Sequence, residues 1–313
     1  DDIIVGRFIP ATFSLTAVEQ GMFGGSCPSF GYIGESFSYN VLYPAFRVTA
    51  LDGQATPNIT TNYTGDWAKL DVNSVTLTTP TELFQDGTIL LTKMALTYTQ
   101  DADLYTFSDN GDGSLTFTFE DDQYVYDKDA NSEIGDFNSG LVLDITEVKD
   151  TDDVTNATNL VLSPIPLNMR FGRLRMGNVH GSELSTLDMP MQVEYLNSSG
   201  VYTVNSLDDC TTIDTAHLTI SDNMNPLASS TATVTNTMAM AGDLGVGFTA
   251  PGTAGFTGYM DITPDLTASL DSWLQYDWTT ATGAFNENPT ARATFGIYKG
   301  NDVNIYKSQV YQQ

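Results

Sequence analysis

Apolar and polar residues alternate with a period of two along much of the chain. In residues 115–119, large apolar side chains alternate with threonine, which is typical of a strand with one buried face. Four further segments repeat the alternation: 75–78, 94–98, 191–195 and 201–204. Clusters of Asp, Asn, Ser and Gly, such as 109–113 and 197–200, lie between the runs and indicate turns. Short strands and turns at this spacing predict an all-β protein built from sandwiches.

One segment fits two patterns. Leu270, Trp273 and Leu274 have the i, i+3, i+4 spacing of a helical turn. A strand through residues 273–278 agrees better with the rest of this chain, and we expect the strand.

The composition changes near residues 146–165. Glu147, Asp150, Asp152 and Asp153 lie close together, and the stretch ends at proline-bearing residues 164–166. Acidic, polar and proline-containing segments are typical of linkers or of long connections between strands. We therefore expect two β-sandwich domains of Ig-like or jelly-roll-like type, residues 1–160 and 165–313, or one extended two-part sandwich.

The charge of the chain excludes several classes of partner. The 313 residues include 12 Lys and Arg against 39 Asp and Glu, a formal net charge of −27. Such a surface repels phosphate backbones and anionic lipid, so we expect no nucleic-acid partner. No run of 18 apolar residues is present, which argues against membrane insertion. The opening Asp1-Asp2 lacks a basic leader, which indicates a removed signal peptide or a piece of a longer chain.

Candidate chemistry is sparse, because the chain has two His and two Cys. Asp109, Asn110 and Asp112 place oxygen ligands as at the start of an EF-hand calcium loop. The twelfth position of that loop is Phe119 instead of the usual Glu, and a hairpin turn explains the same residues. We therefore expect a hairpin turn and no cofactor, and a structural calcium ion at these three residues is the alternative.

The two cysteines and three tryptophans have open interpretations. In an exported chain, Cys27 and Cys210 would most simply form one disulfide, and the alternative is two separate buried thiols. Trp67, Trp273 and Trp278 are available to stack on sugar rings, although most aromatic side chains of a sandwich lie in its core.

Several blocks of sequence together resemble a known family. They are VGRFIP at 5–10, CPSFGYIGESF at 27–37, FGRLR at 171–175 and ARATFGIYKGND at 291–302. In this order they resemble the C-terminal domain pattern of the MshQ family, which belongs to the mannose-sensitive haemagglutinin (MSHA) type IV pilus system. The resemblance extends from Val5 to Tyr306.

The resemblance implies an exported protein at the cell surface of a Gram-negative bacterium. It implies a non-enzymatic adhesin or pilus tip component that takes part in attachment. Its expected partners are minor pilins or other pilus components, with a surface glycan as a further candidate. The resemblance also favours pairing of Cys27 with Cys210, since such sequences tend to carry cysteine at both places.

Three other functions remain open: a self-assembling surface filament, a direct carbohydrate-binding module, and a polysaccharide hydrolase or lyase that uses paired acids. Within the pilus hypothesis, the last strand is a candidate docking segment. Phe295, Ile297 and Tyr298 would add to the sheet edge of a partner. The alternative is that these three residues fill the last sandwich core.

Overall fold

The computed structural model describes residues 9–82, 95–128, 133–221, 232–251, 257–269, 271–280 and 283–296. Over these ranges the chain is almost entirely β, which confirms the all-β prediction. Short 3₁₀ segments interrupt the strands at Gly65–Trp67, Val72–Ser74, Ala102–Leu104, Thr215–His217 and Ser272–Leu274. None of the helices in the described part is long and apolar enough to cross a membrane.

Four sheets are formed mainly by the first half of the chain. The first contains, in spatial order, β1 (Thr12–Glu19), β5 (Ala45–Leu51), β9 (Ser114–Thr118) and β8 (Thr106–Asp109). The second contains β2 (Phe23–Gly24), β4 (Ser36–Tyr39), β10 (Gln123–Tyr126) and β7 (Leu96–Thr99). The third contains β11 (Phe137–Asn138), β14 (Asn168–Arg170) and β3 (Phe30–Tyr32). The fourth contains β13 (Leu160–Leu162), β12 (Leu141–Val148) and β6 (Val75–Glu82).

Two further sheets are formed by the second half. One contains β15 (Gly172–Met176), β17 (Leu187–Leu196), β21 (Asp243–Phe248) and β20 (Ala232–Met240), and β18 (Tyr202–Val204) also pairs with β17. The other contains β16 (Val179–Gly181), β23 (Ala291–Phe295), β22 (Gly258–Pro264) and β19 (Leu218–Ser221). Most pairings are antiparallel, whereas β3 with β14 and β16 with β23 are parallel.

The period-two pattern explains how these strands bury one face. In β9, Leu115 and Phe117 are buried, whereas Thr116 and Thr118 are half-buried. β8 and β9 pair on either side of residues 110–113, so the turn expected there is a hairpin. Burial of large rings supplies most of the apolar contact in this half, because each aromatic side chain removes a large area from water.

Two buried cores occupy the two halves, and they exchange residues. The first core is rich in aromatic rings from residues 13–154 but also takes in Met169, Phe171 and Leu196. The second core is formed by residues 174–295 but also takes in Cys27, Phe30 and Tyr32. Because β3 pairs with β14, one sheet crosses the expected division near 160–165. The two halves are therefore interlocked, while their division into two domains stays a prediction.

The strand expected through residues 273–278 is wrong. Ser272–Leu274 is a 3₁₀ turn, in which the amide groups of Leu274 and Gln275 donate to the carbonyls of Asp271 and Ser272 at 2.8 and 3.1 Å. Tyr276 forms only an isolated bridge with Glu287. A strand would need the carbonyls of Trp273 and Gln275 for a ladder, but both accept hydrogen bonds from Lys128. A distant side chain thus overrides the local strand preference.

Candidate functional site

A disulfide between Cys27 and Cys210 lies where the two halves meet. The two Cα atoms are 5.6 Å apart, and 183 positions separate the cysteines in sequence. Cys27 is buried in the second core, next to Phe30. Cys210 follows β18, in the loop that leads away from the second half's larger sheet. The bond therefore ties the start of the first half to the middle of the second.

A buried carboxylate stands beside the disulfide. The Asp208 side chain accepts a hydrogen bond from the Tyr32 hydroxyl at 2.7 Å and from the Thr211 hydroxyl at 2.7 Å. It also accepts from the amide groups of Cys210 at 3.1 Å and Thr211 at 2.9 Å. Burial, followed by the charge of Asp208, raises the pKa of Tyr32 well above its usual value, so Tyr32 stays a donor.

A buried cation completes the same network. The Arg170 guanidinium donates to Asn168 at 2.9 Å and to the side-chain oxygen of Asn205. Asn205 in turn donates to the Tyr32 hydroxyl at 2.6 Å, so Arg170 is connected to Asp208 through two neutral side chains. The guanidinium centre also lies 4.7 Å from the Phe30 ring and 4.3 Å from the Tyr195 ring. We call Tyr32, Arg170, Asn205 and Asp208 the seam network.

The seam network has the chemistry of a joint. Its four side chains donate to and accept from one another. A polar group that loses its partner while it stays buried lowers the free energy of unfolding by about 1–3 kcal/mol. Because Tyr32 and Asp208 belong to different halves, a shift of one half that breaks their bond without admitting water leaves several such groups unpaired at once. The network therefore adds hydrogen bonds between the two halves to the covalent connection that the disulfide makes.

Lys128 makes a second connection between the halves. Its ammonium group donates to the carbonyls of Gly172 at 2.9 Å, Trp273 at 2.7 Å and Gln275 at 2.6 Å. It lies 4.5 Å from the centre of the Phe171 ring. Burial lowers the pKa of Lys128 to about 7, against the opposing attraction of Glu133. A cavity of about 370 Å³ opens beside it, with Gly34, Trp273 and Phe285 among its walls.

Next to Lys128, an arginine lies against a set of aromatic rings. The Arg173 guanidinium is 3.5 Å from the Tyr202 ring, 4.9 Å from Tyr276 and 5.3 Å from Trp278. The Glu194 carboxylate binds Arg173 at 2.7 Å and Arg175 at 3.1 Å. Trp278 and Tyr276 are in edge contact at 5.1 Å between ring centres. These aromatic side chains are half-buried and already packed on one another and on the guanidinium.

The three tryptophans considered for sugar stacking do not lie together. Trp273 and Trp278 lie in the neighbourhood of Lys128 and Arg173. Trp67 is 59% exposed and lies apart from them in the 65–67 turn.

The candidate calcium ligands Asp109, Asn110 and Asp112 hold the turn between β8 and β9. Asp109 accepts from the Thr64 hydroxyl at 2.5 Å and from the amides of Gly65 and Gly111 at 2.6 and 2.8 Å. Asp112 accepts from the hydroxyl and amide of Ser114, and Asn110 donates to Ser114 and Thr116. The hydrogen bond from the Thr64 hydroxyl is the largest cause of a lowered pKa at Asp109. The hydrogen bond from the Ser114 hydroxyl is the largest cause of a lowered pKa at Asp112. Calcium at these residues stays a prediction.

A metal-ligand geometry is found elsewhere in the described ranges. Ligand atoms of Cys27, Asp208 and Cys210 lie within 4.8 Å of one another. Both sulfur atoms are already joined in the disulfide, so they are not thiolates that would hold a metal ion.

Of the three residues of the candidate docking segment, the structure describes Phe295. Phe295 ends β23 and is fully buried in the second core. β23 pairs with β16 on one side and with β22 on the other, so neither edge of that strand faces solvent. The surroundings of Phe295 therefore agree with the alternative in which this residue fills the last sandwich core. Ile297 and Tyr298 lie outside the described residues.

The seam residues were not found from the sequence. A signal was present: FGRLR at 171–175 follows Arg170, so three arginines fall within six positions of a chain that is poor in cations. Asp208 and Asp209 also directly precede Cys210. Nothing local, however, connects either segment with Tyr32.

Comparisons with known proteins give structural neighbours and a family. No curated protein matches the chain. Among solved structures, a match is FdeC, a "Novel Broadly Conserved Escherichia coli Adhesin Eliciting Protection against Urinary Tract Infections", at 14% identity. The match covers 94% of this chain and 66% of that one, less than two thirds, with a TM-score of 0.24.

Family models match nearly the whole length of the chain. The model described as "DUF6701, third domain" matches residues 4–164, and the model described as "DUF6701, fourth domain" matches residues 170–309. The first alone covers more than half of the 313 residues. The disulfide and the seam network connect the segments matched by these two models. The chain therefore belongs to the DUF6701 family, of which it carries the third and fourth domains.

Proposed function

We propose that this chain is part of an exported, non-enzymatic surface protein that transmits force during attachment. The observation that carries the proposal is the joint between the two halves. Cys27–Cys210 and the seam network connect segments that a pulling force would otherwise separate. Disulfides persist in secreted and periplasmic compartments and are rare in the cytosol, so the bond favours export.

We further propose that the attached structure is an MSHA-type pilus of a Gram-negative bacterium. In this hypothesis the protein is a tip component or adhesin, and minor pilins or other pilus components hold it. The support is the resemblance of the sequence blocks at 5–10, 27–37, 171–175 and 291–302 to the MshQ pattern. The charge of −27 agrees with a cationic or neutral partner and disfavours nucleic acid and anionic lipid.

Immunogold electron microscopy of intact source cells tests both parts of the proposal. Antibody against this chain is expected to label pilus tips, and a strain that lacks the gene is the control. Intact cells without label, together with label inside the envelope in thin sections of the same cells, would overturn the surface assignment. Label along separate fibres would replace the tip component with a filament subunit, and label on the cell surface away from pili would remove the pilus part alone.

A second candidate function, direct carbohydrate binding, rests on the contiguous rings beside Lys128 and Arg173. Trp273 and Phe285 line the cavity, and Phe285 is 5.5 Å from Tyr276. A glycan array with the purified chain tests it, with Trp273→Ala as the variant and the distant Trp67→Ala as the matched control. Binding that only Trp273→Ala abolishes would support this function, and an array without signal would remove it.

A further inference from the structure

Five exposed apolar side chains lie at one end of the first half. They come from the end of β1, the β4–β5 loop and the segment after β13, and we call them the apolar apex: Val18, Val41, Leu42, Tyr43 and Ile165. Their exposed fractions run from 37% for Leu42 to 75% for Val41. Clustered exposure of this kind marks interaction sites, whereas single exposed apolar residues do not.

Backbone hydrogen bonds hold the β4–β5 loop and the segment after β13 against residues 21–23, which follow β1. The amide of Met22 donates to the carbonyl of Leu42 at 2.9 Å, and the amide of Asn40 donates to the carbonyl of Met22 at 2.8 Å. The amide of Ile165 donates to the carbonyl of Gly21 at 2.9 Å, and that of Phe23 to the carbonyl of Ile165 at 3.1 Å. The apolar apex is therefore preorganised.

The two valines of the apolar apex lie at irregular positions of the backbone. Val18 lies at the register shift between Ala17 and Glu19 in the β1–β5 pairing, and such bulges often re-aim a side chain. Val41 has φ 69°, a left-handed conformation that is strained for a β-branched residue. Strain of this kind persists where the surroundings enforce it, and it is common at binding sites. Both valines are nevertheless exposed to solvent instead of buried.

The acidic residues around the apolar apex indicate the charge that a binding partner would carry. Glu19 lies beside Val18, and Phe119 donates its amide to the carbonyl of Pro44, which brings Glu120 and Asp121 to the same end. The contributing segments 18–22, 40–45, 119–121 and 161–165 contain no Lys or Arg. A second copy would bring the same acidic rim and the same net charge of −27, and anionic lipid would also be repelled.

We propose that the apolar apex docks a protein partner whose contact surface is an apolar hollow ringed by Lys or Arg. Apolar burial would supply the affinity, and the carboxylates at the edge would set orientation and rate of association. The inference goes beyond the proposed function, because it does not depend on a pilus.

Selection of random dodecapeptides displayed on phage, with the full chain immobilised, tests the proposed chemistry. Peptides that bind the chain are expected to combine large apolar residues with Lys or Arg. Their binding should weaken at least tenfold in Val41→Ser and in high salt. Ile59→Ser is the matched control, because Ile59 is 52% exposed but lies at the opposite end of β5.

A second variant separates docking from folding. Val41→Gly removes the side chain while the new residue accepts the left-handed backbone, so its melting temperature should equal or exceed that of the parent while peptide binding falls. Peptides without Lys or Arg, or peptides that bind Val41→Ser as well as the parent, would overturn the proposal. So would a dimer in sedimentation velocity, or binding to phosphatidylcholine vesicles, that Val41→Ser abolishes.

Discussion

The Cys27–Cys210 bond determines how far this chain extends when it is pulled from its two ends. Force enters before Cys27 and leaves after Cys210, so it passes through the disulfide and bypasses the segment between them. That segment includes most of the first core, except Phe13 and Phe23, and the beginning of the second half. We expect it to remain folded, or at least unextended, for as long as the bond is intact.

The size of the effect follows from the loop length. The cross-link closes 183 positions, and a stretched chain spans at most about 3.5 Å per residue, so the bond withholds roughly 640 Å of extension. The same closure restricts the unfolded chain by about 5 kcal/mol in the chain-entropy model. Both magnitudes depend on the separation of the cysteines in sequence.

Single-molecule force spectroscopy measures the withheld length directly. The chain is held by handles at its two ends and pulled with and without reductant, and the total contour length is compared. The oxidised chain should be shorter at full extension by roughly 640 Å. The Cys27→Ser/Cys210→Ser variant, pulled without reductant, should match the reduced parent.

Equal contour lengths for oxidised and reduced chains would refute this reasoning, because they would mean that the two cysteines are not joined. A length difference without any loss of thermal stability in the double variant would refute the entropic part alone. In that case the seam network, which does not need the sulfur atoms, would be sufficient to hold the halves together.

Four further outcomes are expected. Burial raises the pKa of Asp271 to about 6, so the stability cost of its carboxylate grows between about pH 4 and pH 6 and is constant above that range. Asp271→Asn should therefore gain about 1–2 kcal/mol of unfolding free energy at pH 7 and nothing at pH 4, in urea titrations. Tyr32→Phe leaves buried Asp208 short of a donor and should lose about 1–3 kcal/mol by the same titration. Gly172→Ala would place a Cβ 2.6 Å from the Tyr32 ring and should lose about 1–3 kcal/mol of unfolding free energy. Gly53→Ala is the control for the steric clash, because its Cβ would lie 3.4 Å from the Ala11 side chain, an ordinary contact. Calorimetry should show a melting temperature that rises between 20 and ~300 mM NaCl, since salt screens repulsion within a chain of net charge −27; a flat salt response would contradict the last.

Local pattern was sufficient for the strands because side-chain direction in a strand alternates residue by residue. The alternation at 115–119 predicted β9, and the turn residues at 109–113 predicted the hairpin that joins it to β8. It failed at 273–278, where hydrogen bonds from Lys128, more than 140 positions away, hold the carbonyls in a turn. Spacing within a segment carries no information about such a partner.

Candidate site residues divide in the same way. The sequence by itself determined the all-β class, the acidic surface and the presence of two cysteines, because these are properties of composition and of short periodicity. Only the tertiary structure decided that Tyr32 meets Asp208 across 176 positions and that Val41 is exposed in a left-handed turn. The physical reason is that contacts between distant strands depend on their register and on which faces pack together, and neither is recorded in the local alternation of apolar and polar residues.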